Sequence, residues 1–303
     1  MARRKGQDST PSAKSGASKT GNGANLGFEA PALPGCGQAL QEPGTQRLQA
    51  RRPGADIPPV HLRCLRDTGR VNALLVRVGA DQSTGGGGWN GPVDSRSRHY
   101  AYVAIPESHE VHPGMEKPYS ALTAVLGRFG ITLPQHLRGQ HMHLDPDFEH
   151  LTYGDQGERA KQLANLDEGD HIVFYAGMKD VATGQLVYAL IGLLVVASWI
   201  PACDVRPEVR VQNAHSRRQD PGSTDMIWYG RPGVSGRLRR CLSVGEYRDG
   251  AYRVTRDLLS AWGGLSVKDG YLQRSARLPR FLDPARFLDW FHAQQPELFQ
   301  ANN

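Results

Sequence analysis

The sequence has few cysteines, and they are widely separated. Its four cysteines, Cys36, Cys64, Cys203 and Cys241, form no CxxC pair. This spacing argues against a structural zinc centre or a disulfide framework and fits a reducing compartment. Walker, GxSxG and HExxH motifs are also absent, as are internal repeats and heptads. The familiar signatures of P-loop NTPases, α/β-hydrolases and zinc proteases are therefore missing.

Long hydrophobic runs are missing as well. The longest apolar run, Leu186 to Ile200, covers fifteen residues and includes tyrosine, serine and tryptophan. A helix of that length is too short to cross a bilayer, so the run is predicted to form buried core. The N-terminal region has no apolar segment typical of a secretory signal. We therefore expect a cytoplasmic protein that does not contact a membrane.

The N-terminal region differs in composition from the rest of the chain. Residues 1–68 are rich in glycine, serine, proline and glutamine and have no apolar period, which predicts a disordered basic arm. Residues 1–60 contain eight basic and four acidic residues and so supply +4 of the formal net charge of +6. The remainder is nearly balanced, so the pI of 9.2 is weak evidence for nucleic-acid binding by the folded part. The arm either adds salt-dependent affinity for phosphate or is a solubilising tail.

Residues 69–303 are predicted to form a single α+β domain with a mixed or antiparallel sheet and peripheral helices. Apolar runs with β-branched residues predict strands, and apolar residues at helical spacing predict helices. The predicted strands are Asn72–Val78, His99–Ile105, His171–Ala176 and Leu186–Val196, the last two forming an antiparallel pair. The predicted helices are Tyr119–Phe129, Gly157–Leu166, Tyr252–Trp262 and Pro284–Phe291. Residues 201–240 are predicted to be irregular.

The densest group of titratable residues is His141–Asp155, HMHLDPDFEHLTYGD, with three histidines, three aspartates, one glutamate and one tyrosine. In an extended chain, side chains two residues apart share a face, which would place His141, His143, Asp145 and Asp147 together. Such a set suits a divalent cation such as zinc, manganese or iron. It equally suits acid/base chemistry without a metal. The alternative is an Asp-Pro-Asp turn with solvated histidines beside it.

A glycine-rich segment, Gly79–Asp94, follows the first predicted strand and contains four consecutive glycines. Glycine loops bind phosphate when a helix follows them, but no helical period follows this one, so no dinucleotide cofactor is expected. The polar and stacking side chains of Asp81, Trp89 and Asn90 favour a substrate-binding loop over a plain linker.

Arginines are concentrated in two further segments, NAHSRR (Asn213–Arg218) and GRPGVSGRLRR (Gly230–Arg240). The planar guanidinium suits phosphate, and aromatic residues between basic groups suit base stacking. The candidate phosphate or nucleic-acid contacts are Asn90, Asn213, His215, Arg217, Arg218, Arg231 and Arg237. The candidate stacking residues are Trp89, Tyr175 and Trp228. The alternative is a solvated loop whose arginines pair with carboxylates.

Several of these segments together resemble a known family. They are VRVGADQSTGGGGWNGPVD, HLDPDFEHLTYGD, GDHIVFYAG, YALIG, NAHSRR and RSARLPRFLDPARF, spread over about residues 72–291. The chain resembles bacterial and phage proteins of the nucleotide-modification-associated domain family, and is most like its third type. The resemblance implies a role in modifying DNA bases or their nucleotide precursors, with an unsettled mechanism. It places the site on Asp81, His143, Asp145, Asp147, Glu149 and His150, to which we add Tyr153 and Asp155 from the same run.

A shorter pattern, LANLDEGDHIVFYAG followed by LVYALIGLLVV within residues 163–196, is similar to PUA-like and EVE-like barrels. It implies a partly closed barrel that holds a modified base. Two functions therefore remain open: a base- or nucleotide-modifying enzyme, or a non-catalytic reader that uses Tyr175, Trp228 or Trp262. A metal-dependent nuclease is a third. The partner in each case is DNA or a nucleotide; the cofactor and the oligomeric state stay undetermined, with a divalent metal as one option on His143, Asp145 and Asp147.

Overall fold

A computed structural model gives the structure of the protein and describes residues 71–272 and 275–303. The predicted arm, residues 1–68, lies outside the described residues. The strands are β1 (Ala73–Arg77), β2 (Pro92–Asp94), β3 (His99–Tyr100), β4 (Ile105–Pro106), β5 (Met142–His143), β6 (Thr152–Asp155), β7 (His171–Asp180), β8 (Leu186–Pro201), β9 (Met226–Gly230), β10 (Gly236–Ser243), β11 (Gly245–Arg248), β12 (Ala251–Val254) and β13 (Leu298–Phe299). The helices are α1 (Thr123–Gly127), α2 (Gly157–Leu163), α3 (Ala214–Arg217), α4 (Arg256–Ala261) and α5 (Pro284–Ala293). Short 3-10 helices cover Thr84–Gly86, Tyr119–Leu122, Gln135–Leu137, Ala202–Asp204, Pro207–Gln212 and Lys268–Gly270.

A nine-stranded mixed sheet is the centre of the fold. Its main path runs β13-β10-β8-β7-β2-β3, while β1 pairs with β7, and β9 joins β8 to β6. Strands β7 and β8 form the predicted antiparallel pair, and β1 and β2 lie parallel to β7. The α+β class with a mixed sheet is therefore confirmed. Within the described residues this sheet is open and branched and does not close into a barrel.

The central strands are buried on both faces. Leu74 and Val76 of β1 pack in a cluster with Tyr102 and Phe148, whereas Ala73 and Leu75 pack in a second cluster that includes residues of α4 and α5. Successive residues of a strand point to opposite faces, so burial on both sides requires a nearly continuous apolar sequence. This double burial explains why β1, β7 and β8 were recognisable as unbroken apolar runs.

The prediction of an irregular segment over residues 201–240 is wrong in part, because β9 and the first half of β10 lie there. Strand β10 pairs with β8, but its register shifts between Arg237 and Leu242. Such a bulge interrupts the alternation of apolar and polar residues, so the strand gives no clear period of two.

Two further predicted elements are shorter than expected. In His99–Ile105 only the two ends lie in strands, because the backbone amide of Tyr102 pairs with the side chain of Asn303 instead of another strand. Residues 252–254 belong to β12, and the predicted helix Tyr252–Trp262 is reduced to α4. The Thr255 side chain caps α4 by accepting a hydrogen bond from the Leu258 amide. Within the described range, no helix is both long and apolar enough to cross a membrane.

The close approach of β8 to its neighbours yields a first prediction. A methyl group on Gly192 would lie 2.5 Å from the carbonyl oxygen of Gly236 and 2.6 Å from the Phe148 ring. Gly192→Ala should therefore lower the free energy of unfolding by about 1–3 kcal/mol through overpacking. Gly127→Ala is the matched control, because nothing lies within 4 Å of its added methyl group. Urea unfolding of both variants checks this; equal stability of the two would contradict the packing described for β8.

Candidate functional site

A cleft of about 210 Å³ opens where strands β1 and β6 end. Its wall includes the side chains of Arg77, His143, Asp145, Asp155, Arg159 and His215. These residues come from β1, from the segment that begins with β5, from β6, and from helices α2 and α3. The cleft thus gathers polar groups from five separate parts of the chain.

Asp145 lies in this wall, and its side chain is 3% exposed. The backbone amide of Gly154 donates to both of its oxygens at 2.9 Å, and the Asn213 side-chain amide donates to Oδ1 at 3.2 Å. Its Oδ2 faces two imidazoles, with His215 Nε2 at 3.4 Å and His143 Nε2 at 3.9 Å. Asp145 is therefore held in place by fixed donors and presents one oxygen to both histidines.

The outer nitrogen of His143 is bound to a second carboxylate. His143 Nδ1 lies 2.7 Å from Glu107 Oε2. Burial lowers the pKa of His143 and outweighs the hydrogen bond to Glu107, which acts in the opposite direction. Burial raises the pKa of Glu107, but the hydrogen bond and charge interaction with His143, the His109 amide and the charge of Arg218 together outweigh it and lower the pKa to about 2. Both directions fit a neutral imidazole that donates from Nδ1 to an ionised Glu107 and points Nε2 at Asp145.

His215 also has a second carboxylate beside its outer nitrogen. Its Nδ1 lies 3.3 Å from Asp225 Oδ2, which also accepts a 2.6 Å hydrogen bond from Arg218. The Nδ1 contact is an ion-pair distance that lacks hydrogen-bond alignment. Burial lowers the pKa of His215, but interaction with Asp145 and Asp225 outweighs it and raises the pKa overall. Burial raises the pKa of Asp225, and its contacts with His215 and Arg218 bring it down to about 2.

Local sequence explains how His215 reaches the cleft. Asn213 is the N-cap of α3, and its side chain accepts a hydrogen bond from the His215 amide at 2.9 Å. Gly154 of β6 lies against the imidazole, where an added methyl group would overlap the His215 ring and lie 2.8 Å from Asn213 Oδ1. A residue with a side chain at position 154 would therefore displace His215.

Two arginines on the wall are paired with carboxylates. Arg159 Nε lies 3.0 Å from Asp155 Oδ2, and Arg159 also donates to the Tyr153 hydroxyl, which in turn donates to Asp155 at 2.5 Å. Burial raises the pKa of Tyr153 well above its usual value, so its hydroxyl stays protonated. Arg77 lies 3.3 Å from Asp81, which also accepts from the Ser83 amide inside the glycine-rich segment. Asp81 therefore orders its own loop and orients Arg77.

Asp147 lies close in sequence to Asp145 but does not line the cleft. It is fully buried, accepts a 3.0 Å hydrogen bond from Asn302, and lies 3.5 Å from the buried guanidinium of Arg217. His150 lies 3.2 Å from the same carboxylate, and Glu149 is exposed. Arg217 donates to the carbonyl oxygens of Val211 and Leu144 and has no surface for an external phosphate. Asp147 and Arg217 thus connect parts of the fold.

The other candidate contacts lie outside the cleft wall. Asn90 is buried and donates to the Gly177 carbonyl oxygen at 2.7 Å. Arg231 is exposed and pairs with Glu168, while Arg237 donates to the Ala301 carbonyl oxygen and stacks on the Tyr100 ring. Two of the three stacking candidates, Tyr175 and Trp228, are buried in the core, whereas Trp89 is partly exposed and packs against the core with the rest of its ring.

Sequence reasoning missed four groups around the cleft: Arg77, Glu107, Arg159 and Asp225. Arg77 lies within an apolar strand segment and Arg159 within a helical segment rich in charges, so neither stands out in the sequence. Glu107 begins a short polar run, Glu-Ser-His-Glu, which is a signal of the same kind as the His141–Asp155 run. Asp225 has no such signal, since only the fold brings it to His215.

Comparison with known proteins assigns the family. Residues 72–288 match the model of a family described as nucleotide modification associated domain 3. The chain belongs to this family. The match spans all of the cleft residues described above, from Arg77 to Asp225. No curated protein and no solved structure matches the chain. Membership of the nucleotide modification associated domain 3 family indicates a role in nucleotide or DNA modification and leaves the reaction open.

The buried Asp147–Arg217 pair of this family member yields a second prediction. Arg217→Met should lower the free energy of unfolding by about 3 kcal/mol, because Asp147 would remain buried without its cationic partner. Arg239→Met removes the same group from an exposed 2.9 Å pair with Glu297 and should cost less than about 1 kcal/mol. Chemical denaturation of both variants checks this. Similar losses in the two would show that the buried pair does not hold the fold together.

Proposed function

We propose that the protein is an enzyme that modifies the base of a nucleotide, either within DNA or as a free precursor, and that the cleft around Asp145 is its active site. The observation that carries the proposal is the convergence of two carboxylate-bound histidines on one carboxylate in an arginine-lined cleft. The family supplies the substrate class. A modifying enzyme needs groups that can bind an ion or move a proton at one point. A surface that only binds a base does not need such groups.

The size of the cleft limits the substrate. Its volume of about 210 Å³ is below the roughly 300–1,000 Å³ of pockets that enclose drug-sized ligands. A cleft of this size accommodates a single base. A base within duplex DNA would have to leave the stack to enter it, as in other enzymes that act on bases.

Arginines at the wall are suited to the phosphate of the same nucleotide. A guanidinium carries five N–H donors, and Arg159 directs only part of them to Asp155 and Tyr153. Its side chain is 22% exposed, so a phosphate can reach it from the cleft. Arg77 lies on the same wall. We assign Arg159 and Arg77 to phosphate binding and the Asp145 group to the reacting base.

No observation favours the reader hypothesis. Tyr175, Trp228 and Trp262 are each no more than 1% exposed, so none of these three rings can stack on an external base.

The proposal predicts that cells expressing the wild type contain an altered nucleoside and that Asp145→Asn abolishes its formation. Removing the charge of Asp145 should disable the histidine pair without changing the size of the side chain. Asp289→Asn, on the exposed side of α5, makes the same chemical change outside the cleft and should leave the nucleoside in place. The measurement is mass spectrometry of hydrolysed DNA and of the nucleotide pool from host cells that express each form.

Two outcomes would overturn this function. If the wild type leaves every nucleoside unchanged in its native host while the purified protein selectively binds modified DNA, the protein is a reader. If DNA strands are cut and no altered nucleoside forms, it is a nuclease. An altered nucleoside that persists in Asp145→Asn would remove the cleft from the reaction.

A further inference from the structure

Three side chains at the cleft have the composition and spacing of a metal site. We propose that His143 Nε2, His215 Nε2 and a carboxylate oxygen of Asp145 bind one divalent first-row transition-metal ion. This inference deepens the proposed function, on which its catalytic meaning rests, but ion binding can be measured without knowing the reaction. It replaces Asp147, the third ligand expected from sequence spacing, with His215.

The distances fit a shared ion. Bonds from such a metal to imidazole nitrogen or carboxylate oxygen are about 2.0–2.2 Å, which places neighbouring ligand atoms roughly 3–3.6 Å apart. His215 Nε2 lies 3.4 Å and His143 Nε2 3.9 Å from the same Asp145 oxygen. The ligand atoms of all three residues lie within 4.8 Å of one another. The Asp145–His215 distance already fits this spacing, and the Asp145–His143 distance would have to contract by a few tenths of an ångström to meet it.

The outer contacts are those that metal ligands usually have. Ligating histidines commonly donate their second ring nitrogen to a carboxylate, which fixes the tautomer and turns the lone pair of the first nitrogen toward the metal. His143 has Glu107 in this position at 2.7 Å. Asp225 lies beside His215 Nδ1 at 3.3 Å, an ion-pair contact without hydrogen-bond alignment. Asp145 is itself fixed by the Gly154 amide. All three ligands therefore have a supporting shell.

Charge also favours a cation. Glu107, Asp145 and Asp225 bring three carboxylates to the site, and Arg218 brings one guanidinium. The pairs Arg77–Asp81 and Arg159–Asp155 are neutral and do not change this balance. The site therefore carries an excess of negative charge in a buried environment, where unbalanced charge is costly. A divalent cation compensates this excess.

The ligand types indicate the class of ion. Two imidazoles and one carboxylate suit zinc, iron, manganese or cobalt better than magnesium or calcium, which prefer oxygen ligands. All three ligands line the cleft, so a bound ion would keep positions free for water or substrate, as catalytic metal sites do. A second group, Asp147, Glu149 and His150, also has ligand atoms close together, but Asp147 is already occupied by Arg217 and Asn302.

The test is metal binding by the purified full-length protein after chelator treatment. Co²⁺, Zn²⁺ and Mn²⁺ are titrated separately by calorimetry, and Co²⁺ also by its visible absorption. One ion should bind per chain. His143→Gln and His215→Gln should weaken binding about 100-fold, and Glu107→Gln, which alters only the supporting shell, about 10-fold or more. His150→Gln should leave the affinity within about twofold.

Circular dichroism of the metal-free variants shows whether each one is folded. If a ligand variant does not fold, the affinity of Glu107→Gln tests the proposal instead. The absence of stoichiometric binding of all three ions by the wild type would overturn the proposal. So would unchanged affinity in His215→Gln, or its loss in His150→Gln. If the ion binds as described while no altered nucleoside is found, the metal site stands and the proposed function fails. If an altered nucleoside forms and depends on Asp145 although no ion binds, the proposed function stands and the metal site fails.

Discussion

The geometry of the cleft depends on satisfying the buried carboxylate of Asp145. Burial of an unpaired carboxylate is costly, so fixed donors must surround it. Gly154 of β6 supplies its amide to both oxygens, and Asn213 supplies its side chain from the start of α3. These contacts connect Asp145 to β6, 9 residues further along the chain, and to the start of α3, 68 residues away. The His143–His215 pair is a consequence, because the same contacts that stabilise Asp145 bring both imidazoles to its second oxygen.

Asp147, two residues after Asp145, has a different role. Its carboxylate lies in the core with Arg217 and Asn302, whereas that of Asp145 lies at the cleft. Strand β5 ends at His143, so the alternation of a strand no longer applies to the residues after it. Two aspartates that look equivalent in the sequence therefore have different roles. Asp147 stabilises the fold, and Asp145 presents an oxygen to the site.

The sequence predicts well those features that arise from local composition. Double burial made β1, β7 and β8 visible as apolar runs, and the density of titratable groups directed attention to His143 and Asp145. Strand β10 is not predicted from the sequence because a bulge disrupts its alternation of apolar and polar residues. Glu107 is absent from the predicted site, and Asn213 is predicted as a phosphate contact and not as a partner of Asp145, because these residues lie 36 and 68 residues from the groups they contact. Trp228 looked like a stacking residue because composition alone does not distinguish a buried ring from an exposed one.

Electrostatics connects the proposed ion with the proposed substrate. A nucleotide brings a negatively charged phosphate to a cleft whose centre holds three carboxylates and one guanidinium. The phosphate and the carboxylates would repel each other strongly in a poorly solvated site. A divalent cation at Asp145 removes the excess negative charge and leaves Arg77 and Arg159 as the groups that the phosphate meets. The bound ion would then be the largest local charge and would decide whether an anion is accepted. Metal binding and nucleotide binding should therefore reinforce each other, since each compensates charge that the other leaves exposed.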